Sequence, residues 1–182
     1  YEAVQKTNGK RDSRHRVEHI EVYHPDDLPR FKQLDVLPSM QTSHAPFSVA
    51  EGDVWPTRVG EQRWPLSFAW RDIKNAGNNI AFGSDWPVAP YDPMINLHVG
   101  MNREKWNPND PDQTLSLEEV IIGYTRDAAY AEFKENEKGQ LREGYLADMV
   151  LFSHDLFSLK KEDILTAKPV MTIVDGKVVF ET

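Results

Sequence analysis

The chain has 182 residues, of which 40% are hydrophobic and 27% charged, and a formal net charge of −8. That is enough for one domain of ordinary size with its own core, and the acidic balance argues against nucleic acid or an anionic membrane surface as the main partner. There is no cysteine, which removes disulfides, thiolate metal sites and a cysteine nucleophile and leaves histidine and carboxylate as the only metal donors.

No apolar run approaches the roughly 18 residues of a membrane span, and no leader peptide opens the sequence. A cytoplasmic location is expected. Tyr1 to Gly9 reads as a helix already under way, with Gly9 as its stop. That opening suggests a chain that begins inside a larger protein. β-Branched Val17 and Ile20 predict a short strand over Arg16 to His19. Pro25 and two aspartates then open a helix carrying Leu28, Phe31 and Leu34 at helical spacing. "VLPSMQ" (36–41) is the next strand, with Pro38 expected at an end or bulge. Residues 43–63 form a long irregular passage, of the kind that usually carries function. A short helix is expected over 65–77, closed by Gly77. Ile80, Ala81 and Phe82 form a buried strand. The passage 89–113 is Pro- and Asn-rich, with one helical turn around Met94 to Arg103. The clearest helix spans 115–133, where Ser116 and Glu119 make a capping box. Beyond about residue 138 short β runs take over. Asp175-Gly176 between two apolar strands is a two-residue hairpin signal.

Asp85 draws the eye. It follows an apolar strand and Gly83-Ser84, and precedes Trp86-Pro87. The carboxyl ends of parallel strands are where α/β folds do their chemistry. The competing reading is that Asp85 merely caps the turn before Pro87. His19 ends its strand in the same way, as a ligand or as a hydrogen-bonded core histidine. Ser84 lacks the context of a nucleophile. His15, His24, His98 and His154 read as surface or structural, and Asp148 as a turn residue. Of Trp55, Trp64, Trp70 and Trp86, most are expected to pack the core.

Six segments carry a resemblance: "RVEHIE" (16–21), "PSMQTSHA" (38–45), "FGSDWPV" (82–88), "YTRDAAYAEF" (124–133), "KGQLREGYLADMVLF" (138–152) and "TIVDGKVVFET" (172–182). In this order they resemble the C-terminal portion of metal-dependent hydrolases of the amidohydrolase superfamily, in the YtcJ-like branch (amidohydrolase family 3). The resemblance implies an α/β fold. It would comprise about strands 6–8 of a distorted (β/α)8 TIM barrel over residues 1–135 and the C-terminal strands of a small composite β-sandwich over 136–182. It implies that His19 and Asp85 are metal ligands, Asp85 also being catalytic. The cofactor would be one or two divalent ions, zinc foremost. His44, Arg63 and Trp86 are the candidate contacts for a small-molecule substrate, with Arg58 and Arg63 equally readable as solvated loop charges. The implied reaction is hydrolysis of an amide-like, non-peptide carbon–nitrogen bond by metal-activated water.

The other ligands of that family do not occur in this sequence, and no His-x-His does. A whole barrel takes roughly 250 residues, and three strands leave two open edges. The chain alone is therefore expected to be inactive. It would be completed by a missing N-terminal barrel half, or by another copy in a homo-oligomer. His19 also needs a partner on its second nitrogen to fix its tautomer, and Glu18 and Glu21 lie near in sequence. Two rivals stand beside the enzyme. One is a non-catalytic ligand- or partner-binding domain on the same scaffold. The other is a metal-free barrel lyase with Asp85 as a simple base.

Overall fold

The computed structural model describes residues 1–50 and 52–182. It holds two three-stranded sheets. The first is parallel, in the order β1 (Arg16–Glu18), β2 (Leu37–Met40), β3 (Ala81–Phe82). Val17 lies opposite Pro38, and Ser39 opposite Ala81. The second is an antiparallel meander of β4 (Met149–Phe152), β5 (Pro169–Val174) and β6 (Lys177–Glu181). Among the described residues, no helix is long and apolar enough to cross a membrane.

Helix α1 (Glu2–Asn8) ends at Gly9, whose φ of 78° suits a residue without Cβ. Gln5 Nε2 donates to Leu34 O at 2.6 Å, tying α1 to the end of α2 (Leu28–Gln33). A 3-10 turn, Pro25–Asp27, leads into α2 as the proline and acidic residues dictate. Pro38 lies inside the central strand, not at a bulge. Leu37 N–H donates to His15 O, and Ser39 O accepts from His19 N–H, so these two residues face β1. Pro38 therefore faces β3, where it has no N–H to offer, and pairing with β3 begins only at Ser39.

The middle of the chain is more ordered than expected. The passage 43–63 holds α3 (Val54–Val59) and enters a 3-10 segment, Glu61–Leu66. The helix expected from 65 starts only at Trp70, as α4 (Trp70–Asn75), because Phe68 takes a φ of 46° that breaks the helical path. The single turn expected in 94–103 is a ten-residue helix, α5 (Pro93–Asn102), capped by Asp92 accepting from Met94 N–H. The long helix expected over 115–133 is two, α6 (Leu117–Tyr124) and α7 (Arg126–Ala131). Thr125 breaks it at φ −119°, ψ −84°, its hydroxyl bonding back to Ile121 O at 2.7 Å. The capping box is present as read. So is the hairpin, with Asp175 and Gly176 at φ 50° and 73° between β5 and β6. Asp148 serves that turn by accepting from Asp175 N–H.

The core gathers Met40, Phe68, Trp70, Ile73, Ile80 and Val120. Burying one such apolar side chain contributes about 1.5–3 kcal/mol. Ile164 and Ala167, from the segment joining β4 to β5, join the same core. Arg103 is buried beside Trp70 and Trp106, its guanidinium 5.0 and 4.6 Å from their ring centres. Loss of solvation lowers its pKa to about 10. On the second sheet, Leu151, Val178, Val179 and Phe180 stand exposed.

Candidate metal centre

All three parallel strands end at one place, and each is followed by a site residue. His19 comes directly after β1 at φ 68°, outside the strand expected to contain it. Its N–H stays in the ladder, donating to Ser39 O at 2.8 Å. The left-handed backbone turns its ring off the strand's alternation. Gln41, directly after β2, meets that ring with Oε1 2.9 Å from His19 Nδ1. A carboxamide oxygen accepts only, so Nδ1 is the donor, and in the neutral ring Nε2 then presents its lone pair. Neither Glu18 nor Glu21 fills this role: Glu18 pairs with Arg16 at 2.7 Å, and Glu21 accepts from Trp55 Nε1 at 2.7 Å.

His44 closes a 3-10 turn, Thr42–His44, immediately beyond Gln41. Thr42 and Asn96 of α5 are both fully buried. Thr42 Oγ1 donates to Asn96 O at 2.6 Å, and Ser43 N–H donates to Asn96 Oδ1 at 3.1 Å. These bonds bolt the turn to α5. The His44 ring stacks on His19, with centroids 5.6 Å apart and planes 20° from parallel.

Asp85 lies three residues past β3 at φ 58°. The turn's capping falls to its neighbour, since Ser84 Oγ accepts from Trp86 N–H at 3.2 Å. Asp85 instead points its carboxylate at His44, Oδ2 to Nε2 at 3.7 Å. Tyr124 anchors the same turn by donating to Gly83 O at 3.1 Å, and burial raises its pKa well above the ordinary tyrosine value.

His19, His44 and Asp85 thus offer donor atoms that all lie within 4.8 Å of one another. Two imidazoles and a carboxylate are a donor set that suits zinc and its neighbours. His44 Nε2 is buried and has no hydrogen-bond partner among the described residues. A cation fits the tautomer of His19 and the carboxylate of Asp85 together.

The other candidates fall elsewhere. Arg63 donates to Val59 O at 3.2 Å within its own loop. Arg58 is exposed at the end of α3. Trp70 is buried, and Trp64 Nε1 donates to Pro56 O. Trp86, next to Asp85, is 66% exposed. His15 stacks on Tyr1, His98 on Phe47, and His24 caps the turn before α2. Gln41 and Asn96 were not singled out from the sequence. Gln41 carried a usable signal, since it follows its strand as His19 follows β1. Asn96 carried a weaker one, a lone amide between Met94, Leu97 and Val99 on a helix.

A parallel sheet with imidazoles and a carboxylate gathered at its carboxyl end defines a class of α/β protein whose strand ends could hold a metal ion. The profile of the amidohydrolase family matches residues 1–180, and the chain belongs to that family. It is similar to the protein LONG AFTER FAR-RED 3 of Arabidopsis thaliana, 32% identical over 99% of this chain and 31% of that protein. It is also similar to the N-substituted formamide deformylase of Arthrobacter pascens, 24% identical over 100% of this chain and 33% of that one. The crystal structure of atrazine chlorohydrolase TrzN from Arthrobacter aurescens TC1 complexed with zinc shares the fold. Its TM-score is 0.68 at 20% identity, over 97% of this chain and 38% of that one. The chain spans about a third of the length of the curated relatives it matches.

Proposed function

We propose that this chain is the C-terminal part of a metal-dependent hydrolase acting on amide-like, non-peptide carbon–nitrogen bonds of small molecules. The convergence of His19, His44 and Asp85 within 4.8 Å beyond three parallel strands carries the reading. The name of the Arthrobacter pascens relative, a deformylase of N-substituted formamides, supports the bond type. The zinc complex of the chlorohydrolase supports zinc as the metal. On this reading β1, β2 and β3 are strands six to eight of a (β/α)8 barrel, within residues 1–135. The antiparallel strands of 136–182 belong to a composite sandwich. Among the described residues, β1 and β3 are the edges of the first sheet. The rest of the barrel, from upstream sequence or from a second copy, pairs with them and brings the remaining ligands.

His19 Nε2 and the Asp85 carboxylate hold the cation. When bound, a divalent ion supplies an acidified water and polarises the scissile carbonyl. Asp85 accepts the proton of the attacking water at a carboxylate oxygen and delivers it to the leaving nitrogen. Gln41 keeps His19 in the ligating tautomer. Trp86, exposed beside Asp85, contacts the substrate.

The test is Asp85→Asn in the full-length protein, assayed against a panel of N-acyl and N-formyl amines. Hydrolysis is expected to fall roughly 10²–10⁴-fold with the circular dichroism unchanged. Turnover near the parent rate in that variant refutes the mechanism. Activity that survives a strong chelator favours the metal-free lyase, and a metal-bound protein with no hydrolysis favours the binding domain.

A further inference from the structure

The scheme above gives His44 no ligand role, yet its turn is anchored to α5 and its ring stacks on His19. Its Nε2 is buried without a hydrogen-bond partner among the described residues. Leaving such an atom unpaired costs about 1–3 kcal/mol, so something absent from the polypeptide is expected to meet it. The nearest charged group is Asp85 Oδ2 at 3.7 Å. That is too long for a hydrogen bond. Two ligands of one tetrahedral cation, each ~2.0–2.1 Å from it, lie about 3.3–3.5 Å apart, close to the observed separation.

The backbone supports the same reading. The turn bearing His44 is fastened by Asn96 through Thr42 and Ser43, and His44 N–H donates to Gln41 O at 3.3 Å. Gln41 thereby holds the His44 backbone through its carbonyl and the His19 imidazole through its side chain. A metal ligand must be held in place by its surroundings, and this turn is. The stacked, nearly parallel rings bring both histidines to one edge of the site.

We propose that His44 is a third protein ligand, binding a divalent cation through Nε2 beside His19 and Asp85. This rests on the metal-centre reading and adds one ligand to it.

The test uses the full-length protein loaded with cobalt(II), with affinity read by competition against a chromophoric chelator and geometry read from the visible spectrum. His44→Ala and the volume-matched His44→Gln are compared with His19→Ala, each checked by circular dichroism. The inference expects both His44 variants to bind cobalt at least about tenfold more weakly and to change the spectrum. A folded His44 variant that keeps parental affinity and spectrum overturns it. If His19→Ala also keeps parental binding, the metal-centre reading falls with it. If His19→Ala alone loses binding, only the ligand role of His44 is lost.

Discussion

Gln41 decides which nitrogen of His19 faces the site. Its amide oxygen meets Nδ1 at 2.9 Å and its side chain is buried. Gln41→Leu removes the acceptor at nearly equal volume. Zinc affinity of the full-length protein, measured by competitive titration, is expected to fall about 10–100-fold, and Gln41→Glu, which keeps an acceptor, to recover most of it. Glu119 presents a different electrostatic case. Arg71 donates to both of its oxygens, at 2.8 and 2.7 Å, and holds its pKa down from 4.5 to about 2. A lowered folded-state pKa means the unfolded chain binds the proton first. The stability from this pair is therefore whole above pH 4.5 and drains away as pH falls towards 2. Glu119→Gln keeps a capping side chain but loses the charge. Urea denaturation is expected to show a deficit at pH 7 that shrinks steadily below pH 4.5.

Helix α6 and strand β3 meet at Gly123. A Cβ there would lie 2.3 Å from Phe82 Cδ2 and 3.0 Å from Ile80 O, so even alanine must push the helix off the strand. Phe82 stacks on Tyr124, and Tyr124 holds the Gly83 turn that aims Asp85. Gly123→Ala is expected to cost about 1–3 kcal/mol in chemical denaturation and to weaken metal binding as well. Unchanged metal affinity in that variant would separate packing from site geometry. The break at Thr125 belongs to this scale too. Gly139 packs against it so closely that a Cβ would sit 2.8 Å from Thr125 O. The periodicity of 115–133 is continuous, and only this tertiary contact shows where the helix bends.

At the scale of the molecule, a ligand that binds only the folded state raises its stability by mass action. Zinc at about 100 times its Kd is expected to add roughly 2.7 kcal/mol to the full-length protein. A chelator is expected to reverse that gain in a thermal melt, and Asp85→Ala to abolish the response. Two regions of unpaired surface also belong to this scale: the edges β1 and β3, and the exposed apolar residues of β4 to β6.

What was legible in the sequence was local. Capping chemistry, the Asp-Gly hairpin and the strand ends at His19 and Asp85 follow from neighbours a few residues apart, and short-range sterics and hydrogen bonding suffice to read them. What the sequence hid was made at long range. Phe68 and Thr125 leave the helical region because distant segments pack on them, so helix limits read from periodicity miss. The partner of His19 is Gln41, 22 residues away, and not the adjacent glutamates, because the parallel register sets β2 beside β1. His44 joins Asp85 only because Asn96, 53 residues past Ser43, holds its turn in place. The sequence marked His19 and Asp85 as candidate ligands and His44 only as a candidate substrate contact; their convergence required the sheet, since only hydrogen-bonded strands bring residues so far apart in the chain so close together.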